Sequence, residues 1–490
     1  MDRTTAAGEP AAGAPAGANA APRRARRNPL INRSYALLWG GQVVSNVGDW
    51  VFDTTLVVWI AAELAAGQPW APLAVSGVLV AATVPVLLVG PIAGVFVDRW
   101  DKRRTMLRMD AARAVLILLL ALLATGAVPL PFAPGGRLPL GVRLATIYIT
   151  VFLAACCARF FNPARQALIA HVVDDADQPQ ASSLGQMSLA LATIVGPPLA
   201  PPLLFAFGAQ WALLINAASF AVSFLAISVI RVPATAHPTA VSAERGVLRE
   251  LVAGLRFFFG NRILVAILVV PAVAMLGGGA MNALDVFFFT RNLHAPVQYY
   301  GFADGTYAAG VLVGAIVCGA LARRIGLLRL FQLSVVGMGV GILVFSRMTS
   351  FAPAIVVLCL TGAFNAALNV AIGPIVMRVT PKALLGRVVA ILQPAVTVAS
   401  LASIALAGYL ASTVLRDFSA AVLGVTFGPL DTIYGVAALL ILLSALFAYL
   451  GLRRVTLPPA ATAAGPAVEG AAAEAEGAAP GPAIAPIPAE

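Results

Sequence analysis

Charged residues are scarce in this sequence. Of its 490 residues only 11% are Asp, Glu, Lys or Arg, while 60% are hydrophobic and the mean hydropathy is +0.91. Soluble domains carry about 25% charged and about 45–50% apolar residues. A soluble chain cannot bury this much apolar surface, so the composition excludes an ordinary globular protein and predicts that lipid surrounds most of the chain.

Cysteine and histidine are also few. The four cysteines stand inside apolar runs without metal-ligand spacing, and His171, His237 and His294 fall in predicted loops or near predicted helix ends. The sequence therefore predicts no metal site and no cofactor. Because it also contains neither a phosphate-binding Walker loop nor a nucleophile elbow, we expect a protein that is not an enzyme.

Long apolar runs fill the chain between residues 35 and 452. A membrane-spanning helix needs ~20 mainly apolar residues. The runs predict an all-α membrane protein with twelve transmembrane helices in two six-helix bundles. The predicted spans are 35–64, 73–97, 106–128, 142–162, 182–207, 211–231, 263–290, 298–321, 327–347, 352–378, 385–413 and 431–452.

Composition divides the chain further. Both ends are rich in Ala, Gly and Pro, and the longest internal polar stretch carries Arg and Glu among apolar residues in LRELVAGLRFFFGNR. We predict a disordered cytoplasmic tail (1–34), a six-helix bundle (35–231), a cytoplasmic linker with an amphipathic helix (232–262), a second six-helix bundle (263–454) and a second disordered cytoplasmic tail (455–490).

Positive charge is unevenly distributed across the predicted spans. Of the 32 Lys and Arg residues, five fall on the predicted outer side, and the other 27 lie in or beside the segments predicted to face inward. This asymmetry places both termini in the cytoplasm of a multi-pass protein of the plasma (inner) membrane. The net charge of +11 is thus explained by orientation and lipid headgroups, and nucleic-acid binding is not required. The five outer residues are Arg137, Arg143, Arg291, Arg347 and Arg416.

Four polar residues form a stripe on predicted helix 1. Gln42, Asn46, Asp49 and Asp53 follow i, i+4, i+7, i+11 spacing, which places them on one helix face. An ionised acid at the bilayer centre costs ~2.5–3.5 kcal/mol, so the stripe should face an internal cavity. Burial disfavours the charged form of an acid. Asp49 and Asp53 are therefore candidate proton carriers; the alternative is a static hydrogen-bonding stripe that packs helix 1 on helix 5.

The spacing of other polar residues predicts that they also face this internal cavity. Asn282 and Asp285 lie on predicted helix 7, where Asp285 has either a coupling role or a solvated position near the outer end. Asp304 on helix 8 suits an outer vestibule or gate. Further candidates on helices 10 and 11 are Asn365, Asn369 and Gln393.

Arg159 lies near the inner end of predicted helix 4. It can pair with an acid such as Asp98, or it can extend to the lipid headgroups. No cluster of Arg or Lys is evident inside the predicted spans. The sequence accordingly favours a hydrophobic or amphipathic solute over a phosphate or an organic anion.

The turn between predicted helices 2 and 3 carries a recognisable motif, VGPIAGVFVDRWDKRRT. It resembles the loop signature of the major facilitator superfamily. That resemblance implies a loop that locks the two halves together in the outward-facing state, with Gly94 also allowing close helix approach. The alternative is that the basic residues only fix orientation. The matching residues are Gly90, Asp98, Arg99, Asp101, Lys102, Arg103 and Arg104.

Three further segments narrow the resemblance: NRSYALLWGGQVVSNVGDWVFDTTLVVWIAAEL, FFNPARQALIAHVV after predicted helix 4, and GRV at 386–388. They are similar to the macrolide-efflux and enterobactin-exporter branch, the transmembrane secretion effectors. With the helix 1 acids, this implies a monomeric secondary transporter that exports drug-, macrolide- or siderophore-like molecules by proton-coupled alternating access. Alternatives are a solute importer, a lysolipid flippase, or a non-transporting membrane sensor or scaffold.

Overall fold

The computed structural model describes residues 30–126, 138–230, 258–381, 384–422 and 425–453, and these residues are almost entirely helical. The predicted tails and linker fall largely on residues 1–29, 231–257 and 454–490, so the amphipathic linker helix lies outside the described residues. The described α-helices are α1 (Arg33–Trp59), α2 (Ala71–Leu88), α3 (Gly90–Arg99), α4 (Lys102–Ala124), α5 (Leu140–Val172), α6 (Gln178–Phe207), α7 (Ala209–Val229), α8 (Arg262–Arg291), α9 (Tyr300–Ile325), α10 (Leu327–Phe345), α11 (Phe351–Val379), α12 (Leu385–Ser412) and α13 (Pro429–Leu452).

Each predicted span contains a helix, but not every helix is apolar enough to be a clear membrane span. Ten of the described helices can cross a membrane by length and composition. The long helices α1 and α4 fall short because α1 carries its polar stripe and α4 holds Arg108, Asp110 and Arg113 within one 18-residue stretch. The count of twelve spans and the side on which the termini lie therefore stay predictions.

Predicted helix 2 is broken where the sequence suggested continuity. α2 ends at Leu88, α3 begins at Gly90, and Val89 forms the turn between them. Pro91 has no backbone N–H to donate to the preceding turn, which weakens the helix at this point. The predicted span 73–97 therefore corresponds to two consecutive helices that meet at Val89.

Predicted helix 4 is longer than expected. α5 runs to Val172 with Pro163 inside it, so the FFNPARQALIAHVV segment belongs to the helix and does not follow it. Proline is tolerated within membrane helices because neighbouring groups satisfy the freed carbonyl. The consequence is that Arg159 and Arg165 project from the same helix.

A small hairpin departs from the all-α prediction. Strands β1 (Ala420–Val422) and β2 (Val425–Phe427) pair antiparallel between α12 and α13. Arg347 supports the hairpin from the end of α10, because its Nη2 donates to the Thr426 carbonyl at 3.3 Å and its guanidinium lies 4.6 Å from the Phe427 ring centre. This hairpin does not alter the helical class of the protein.

The helices pack in two sets. Helices α1 to α7 contact one another, chiefly α4 with α5, α1 with α6 and α7, and α4 with α7. Helices α8 to α13 form the second set, in which α9 packs on α11 and α8 on α12. The sets meet mainly where α2 contacts α12 and α6 contacts α9.

The ends of several helices define one face of the protein, which we call the basic face. Here α1, α3, α4, α5 and α7 share an apolar cluster that includes Leu38, Val97 and Met106. Asn32 caps the start of α1, and its Nδ2 also donates to the carbonyl of Val172 at the end of α5 at 2.7 Å. The α3–α4 turn adds Arg99 and the run from Lys102 to Arg104 to this face.

The two sets of helices meet at the opposite face. There the Leu73 N–H donates to Ser412 Oγ at 3.0 Å. A Cβ added at Gly301 would clash with the Pro197 carbonyl, and one added at Gly408 would clash with Ser76. These glycines therefore permit backbone approach between α9 and α6 and between α12 and α2.

Three glycines near the basic face make no such approach between the two sets. A Cβ built on Gly90, Gly94 or Gly185 meets no heavy atom within 4 Å. The two sets are thus joined at the opposite face and separated at the described glycines near the basic face.

Candidate substrate cavities and coupling residues

Each set of helices encloses a cavity. The first, the N cavity, has a volume of about 800 Å³ and is lined by α1, α4, α5 and α6. The second, the C cavity, has a volume of about 220 Å³ and lies among α8, α9, α10 and α11. Small-molecule sites usually occupy about 300–1,000 Å³, so the N cavity has the size of a drug binding site.

The polar stripe of α1 lies along the N cavity. Gln42, Asn46 and Asp49 belong to its wall. Asp53, one turn further along the same face, is exposed and is not among the lining residues. The structure thus brings three of the four stripe residues to one cavity.

Close packing of α1 on α7 positions Asp49. A Cβ at Gly48 would clash with Ser219 and would lie 2.9 Å from Asn216 Oδ1. Gly41 is similarly close to α7, where a Cβ would lie 3.2 Å from the Cα of Ser223. These two small residues allow α1 to lie against α7, which itself packs on α4.

Asp49 shares an arginine with a second, deeper acid. The Arg113 Nη2 donates to Asp110 Oδ1 at 2.5 Å, whereas its Nη1 lies 4.0 Å from Asp49 Oδ2. The Asp110 side chain is 0% exposed, the Arg113 side chain 7% and the Asp49 side chain 39%. Arg113 is therefore held by Asp110, and Asp49 is the partner that remains open to the cavity.

The buried pair of Asp110 and Arg113 has further partners on neighbouring helices. The guanidinium of Arg113 lies 4.6 Å from the ring centre of Phe161 and 4.2 Å from that of Phe220. Ser223 Oγ donates to Asp110 Oδ2 at 2.7 Å, and Gln42 Nε2 donates to Ser223 Oγ at 3.2 Å. The i, i+3 spacing of Asp110 and Arg113 predicts a local pair but gives no indication of the link to Asp49. Two opposite charges inside one predicted span were the available signal.

Three arginines converge on the N cavity. Arg113 of α4 and both Arg159 and Arg165 of α5 line it. The sequence analysis did not anticipate this grouping, because it placed Arg165 beyond the end of its helix. Arg159 lines the cavity without an ion pair to Asp98, which is exposed at the end of α3.

The C cavity contains two acids and no base among its described lining residues. Asp285 and Asp304 line it together with Asn282 and Asn365. Tyr434 Oη donates to Asp285 Oδ1 at 2.6 Å. No group of three or more His, Cys, Asp or Glu side chains able to hold a metal ion occurs in the described part of the chain.

Besides Asp53, two further predicted candidates lie outside these lining sets. Asn369 is exposed, and its Nδ2 donates to the Asn365 carbonyl at 3.0 Å and to Asn365 Oδ1 at 3.1 Å. Gln393 is exposed on α12, where its backbone carbonyl accepts a bond from Thr397 Oγ1 at 2.9 Å. The structure does not bring either residue to the C cavity wall.

The α3–α4 turn is stabilised by several of its own signature residues. Asp101 caps α4 by accepting from the Arg104 N–H at 2.7 Å. Lys102 Nζ donates to carbonyls near the end of α3, including that of Asp98 at 2.6 Å. Arg103 Nε donates to the Ile227 carbonyl of α7 at 3.2 Å. The bonds of Asp101 and Lys102 are local and shape the turn, whereas that of Arg103 ties the turn to α7.

The other signature residues make no close helix contact in this conformation. Asp98 and Arg99 are exposed, and the positions of Gly90 and Gly94 are open to the space beside α3. Their assignment as a conformational lock stays a prediction.

Comparison with known proteins agrees with this architecture. The transmembrane secretion effector family matches residues 25–449. The multidrug efflux pump Tap of Mycolicibacterium fortuitum is 28% identical over 359 residues, covering 70% of this chain and 83% of that protein. Macrolide efflux protein A of Streptococcus pyogenes is 21% identical over 305 residues, covering 62% of this chain and 71% of that protein.

The fold is shared with solved structures. The crystal structure of a bacterial homologue of the iron transporter ferroportin superposes with a TM-score of 0.66 at 14% identity, covering 86% of this chain and 98% of that one. At this identity the likeness concerns the fold alone. Since the family match spans most of the sequence and includes both helix sets, the chain belongs to the transmembrane secretion effectors of the major facilitator superfamily.

Proposed function

We propose that this membrane transporter exports hydrophobic or amphipathic small molecules from the bacterial cytoplasm by proton-coupled alternating access. In this proposal it works as a monomer in the plasma membrane, with twelve spans in two six-helix bundles and both termini in the cytoplasm. The efflux pumps among its relatives support the direction, and the volume of the N cavity supports a substrate of drug size.

One observation carries the coupling proposal: Asp49 lies on the cavity wall 4.0 Å from an arginine that Asp110 already holds at 2.5 Å. Asp49 can therefore gain or lose a proton without leaving Arg113 unpaired. A proton on Asp49 removes one charge from a network joining α1, α4 and α7. That change gives the two access states different energies, as coupling requires.

The helix contacts support alternation between two open states. With the basic face in the cytoplasm, the structure corresponds to a state that is closed outside by α6–α9 and α2–α12 contacts. The opposite state would close the basic face at Gly90, Gly94 and Asp98. We propose these residues, with their basic neighbours, as the lock of that second state.

Reconstitution into liposomes tests the proposal. With a pH gradient imposed, efflux of a macrolide or a hydrophobic dye is compared among wild type, Asp49→Asn and Asp53→Asn. Asp417→Asn is the matched control, because that carboxylate is 92% exposed and outside the cavities. Because the carrier acid would be lost, we expect Asp49→Asn to reduce gradient-driven efflux at least about tenfold, which corresponds to about 1.4 kcal/mol. Full gradient-driven activity in Asp49→Asn would exclude it as the carrier, and no gradient-dependent movement in wild type would refute the export proposal.

Uptake is the second candidate, and one observation favours it. Protonation of Asp49 leaves Arg113, Arg159 and Arg165 with less negative charge in the N cavity. A proton and an anionic solute would then bind best together, which is the requirement for cotransport. Reversing the imposed gradient distinguishes the two, since cotransport predicts tracer accumulation on the side towards which protons flow.

A further inference from the structure

One face of α5 presents polar groups to the N cavity. Arg159, Asn162, Gln166 and Ile169 follow i, i+3, i+7, i+10 spacing and all line the cavity, as does Arg165. Arg159 and Arg165 lie six residues apart, or ~9 Å along the helix at 1.5 Å per residue. Both arginine side chains therefore belong to the lining of the same cavity.

These guanidiniums have few partners of their own. Each guanidinium carries five N–H donors. Arg165 Nη1 donates to Gln42 Oε1 at 3.3 Å, and this long bond is the only hydrogen bond that either side chain makes within the described residues. The Nε atoms of both Arg159 and Arg165 are buried without a hydrogen-bond partner there. Desolvated charged donors without acceptors are costly, so the site favours an acceptor that enters from the cavity.

No acid of the cavity is free to neutralise them. Asp49 is the one carboxylate among the described lining residues, and it faces Arg113 at 4.0 Å. Asp110, which lies behind Arg113, is used by that same arginine. The α5 arginines therefore give the N cavity an excess of positive charge.

The remaining wall is apolar and aromatic. Leu38, Trp39, Phe161 and Leu189 line the same cavity. We propose that Arg159 and Arg165 form a binding site for the anionic group of an amphipathic solute, a carboxylate, sulfonate or phosphate on an apolar body. The paired charges would hold the anion, and the apolar wall would hold the body. This inference rests on the proposed transport function but not on its direction.

The same chemistry can come from a soluble amphiphile or from an anionic lipid headgroup. A binding experiment on the full chain in nanodiscs separates the two. The probe is anilinonaphthalene sulfonate, an amphipathic anion that becomes fluorescent in apolar sites. Phenylnaphthylamine, which has the same aromatic skeleton without the sulfonate, is the matched neutral probe, and empty nanodiscs correct for lipid partitioning.

In nanodiscs of phosphatidylcholine, the double variant Arg159→Gln/Arg165→Gln should bind the sulfonate at least about tenfold more weakly, because two charge-assisted hydrogen-bonding groups are lost. Its affinity for the neutral probe should be unchanged. Arg159→Lys/Arg165→Lys should retain most of the sulfonate affinity. The control is Arg323→Gln/Arg324→Gln, which removes two exposed charges from the end of α9 without touching the cavity.

An equal loss of affinity for both probes in the Arg159/Arg165 variant would refute the proposed site. The same loss of sulfonate affinity in the Arg323/Arg324 control would refute it too. Unchanged sulfonate binding in the Arg159/Arg165 variant would overturn it as well. Adding phosphatidylglycerol to the nanodiscs identifies the source: competition in wild type that disappears in the Gln variant supports the site with lipid as its occupant. These measurements use no proton gradient, so failure of the transport assay leaves them interpretable, and the converse also holds.

Discussion

At the N cavity one aspartate on the wall and one behind it share an arginine, whereas the two aspartates that line the C cavity have no base among the described lining residues. Asp110 and Asp49 lie at 2.5 and 4.0 Å from Arg113. Asp285 instead accepts a bond from the phenol of Tyr434 at 2.6 Å. The N half therefore contains a network of ions, whereas in the C half a neutral hydrogen-bond donor contacts the acid.

The difference indicates how each half responds to loss of a partner. Removing one member of a buried ion network leaves another charge uncompensated. Removing a neutral donor leaves a single acceptor unsatisfied, which costs less. We therefore expect the N half to be the more sensitive of the two, and each of the following experiments can break or sharpen that comparison.

The largest effect is expected from Arg113→Ala. It leaves Asp110 buried without its cation, which should lower the free energy of unfolding by about 3–5 kcal/mol. Thermal unfolding in detergent measures this, with Arg108→Ala as control because Arg108 is exposed on the same helix. The variant Asp110→Leu/Arg113→Leu should recover much of the stability. A melting temperature for Arg113→Ala equal to that of wild type would contradict the greater sensitivity expected of the N half.

An intermediate effect is expected at the contact that joins the two halves. In Gly301→Ala the new Cβ meets the Pro197 carbonyl of α6, and overpacking of this kind costs about 1–3 kcal/mol. The conformation closed at the opposite face should become less populated, which spin-label distances across α6 and α9 report. Gly94→Ala adds the same methyl group where no atom lies within 4 Å, so it should leave this conformation unchanged. Equal shifts in both variants would contradict the assigned contact.

The smallest effect is expected from Tyr434→Phe in the C half. It removes one hydrogen bond to Asp285 and should cost about 1 kcal/mol, because Asp285 is only half-buried and keeps access to the cavity. Thermal unfolding again provides the measurement, and Tyr449→Phe, at an exposed position of the same helix, is the control. A loss as large as that of Arg113→Ala would show that the two halves do not differ.

Much of the helical architecture could be predicted because its signals are local. Each predicted apolar span contains at least one described helix, and the motif ending in Arg104 indicated the superfamily that the family match confirms. The effect of proline on helix continuity could not be predicted from the sequence. Pro91 follows a break in predicted helix 2, whereas Pro163 lies inside a continuous α5. The residue type is the same, and the packing around each helix decides the outcome.

The candidate site could be predicted only in part. Spacing grouped Gln42, Asn46 and Asp49, since residues on one helix face follow from the helical repeat. Their roles in coupling remain to be tested. Arg165 and Tyr434 escaped sequence reasoning because their importance depends on neighbours far along the chain, as the 149 positions between Asp285 and Tyr434 illustrate.

The sequence by itself indicated a membrane protein, the approximate positions of its helices, its superfamily and the polar face of α1. These properties follow from composition, hydrophobic periodicity and a short motif. Only the tertiary structure decided that Arg113 is shared by two aspartates, that two α5 arginines line the same cavity, and that the described lining of the C cavity holds two acids and no base. The physical reason is that such contacts arise from helix packing, and residue spacing along one helix carries no information about which other helix will lie opposite.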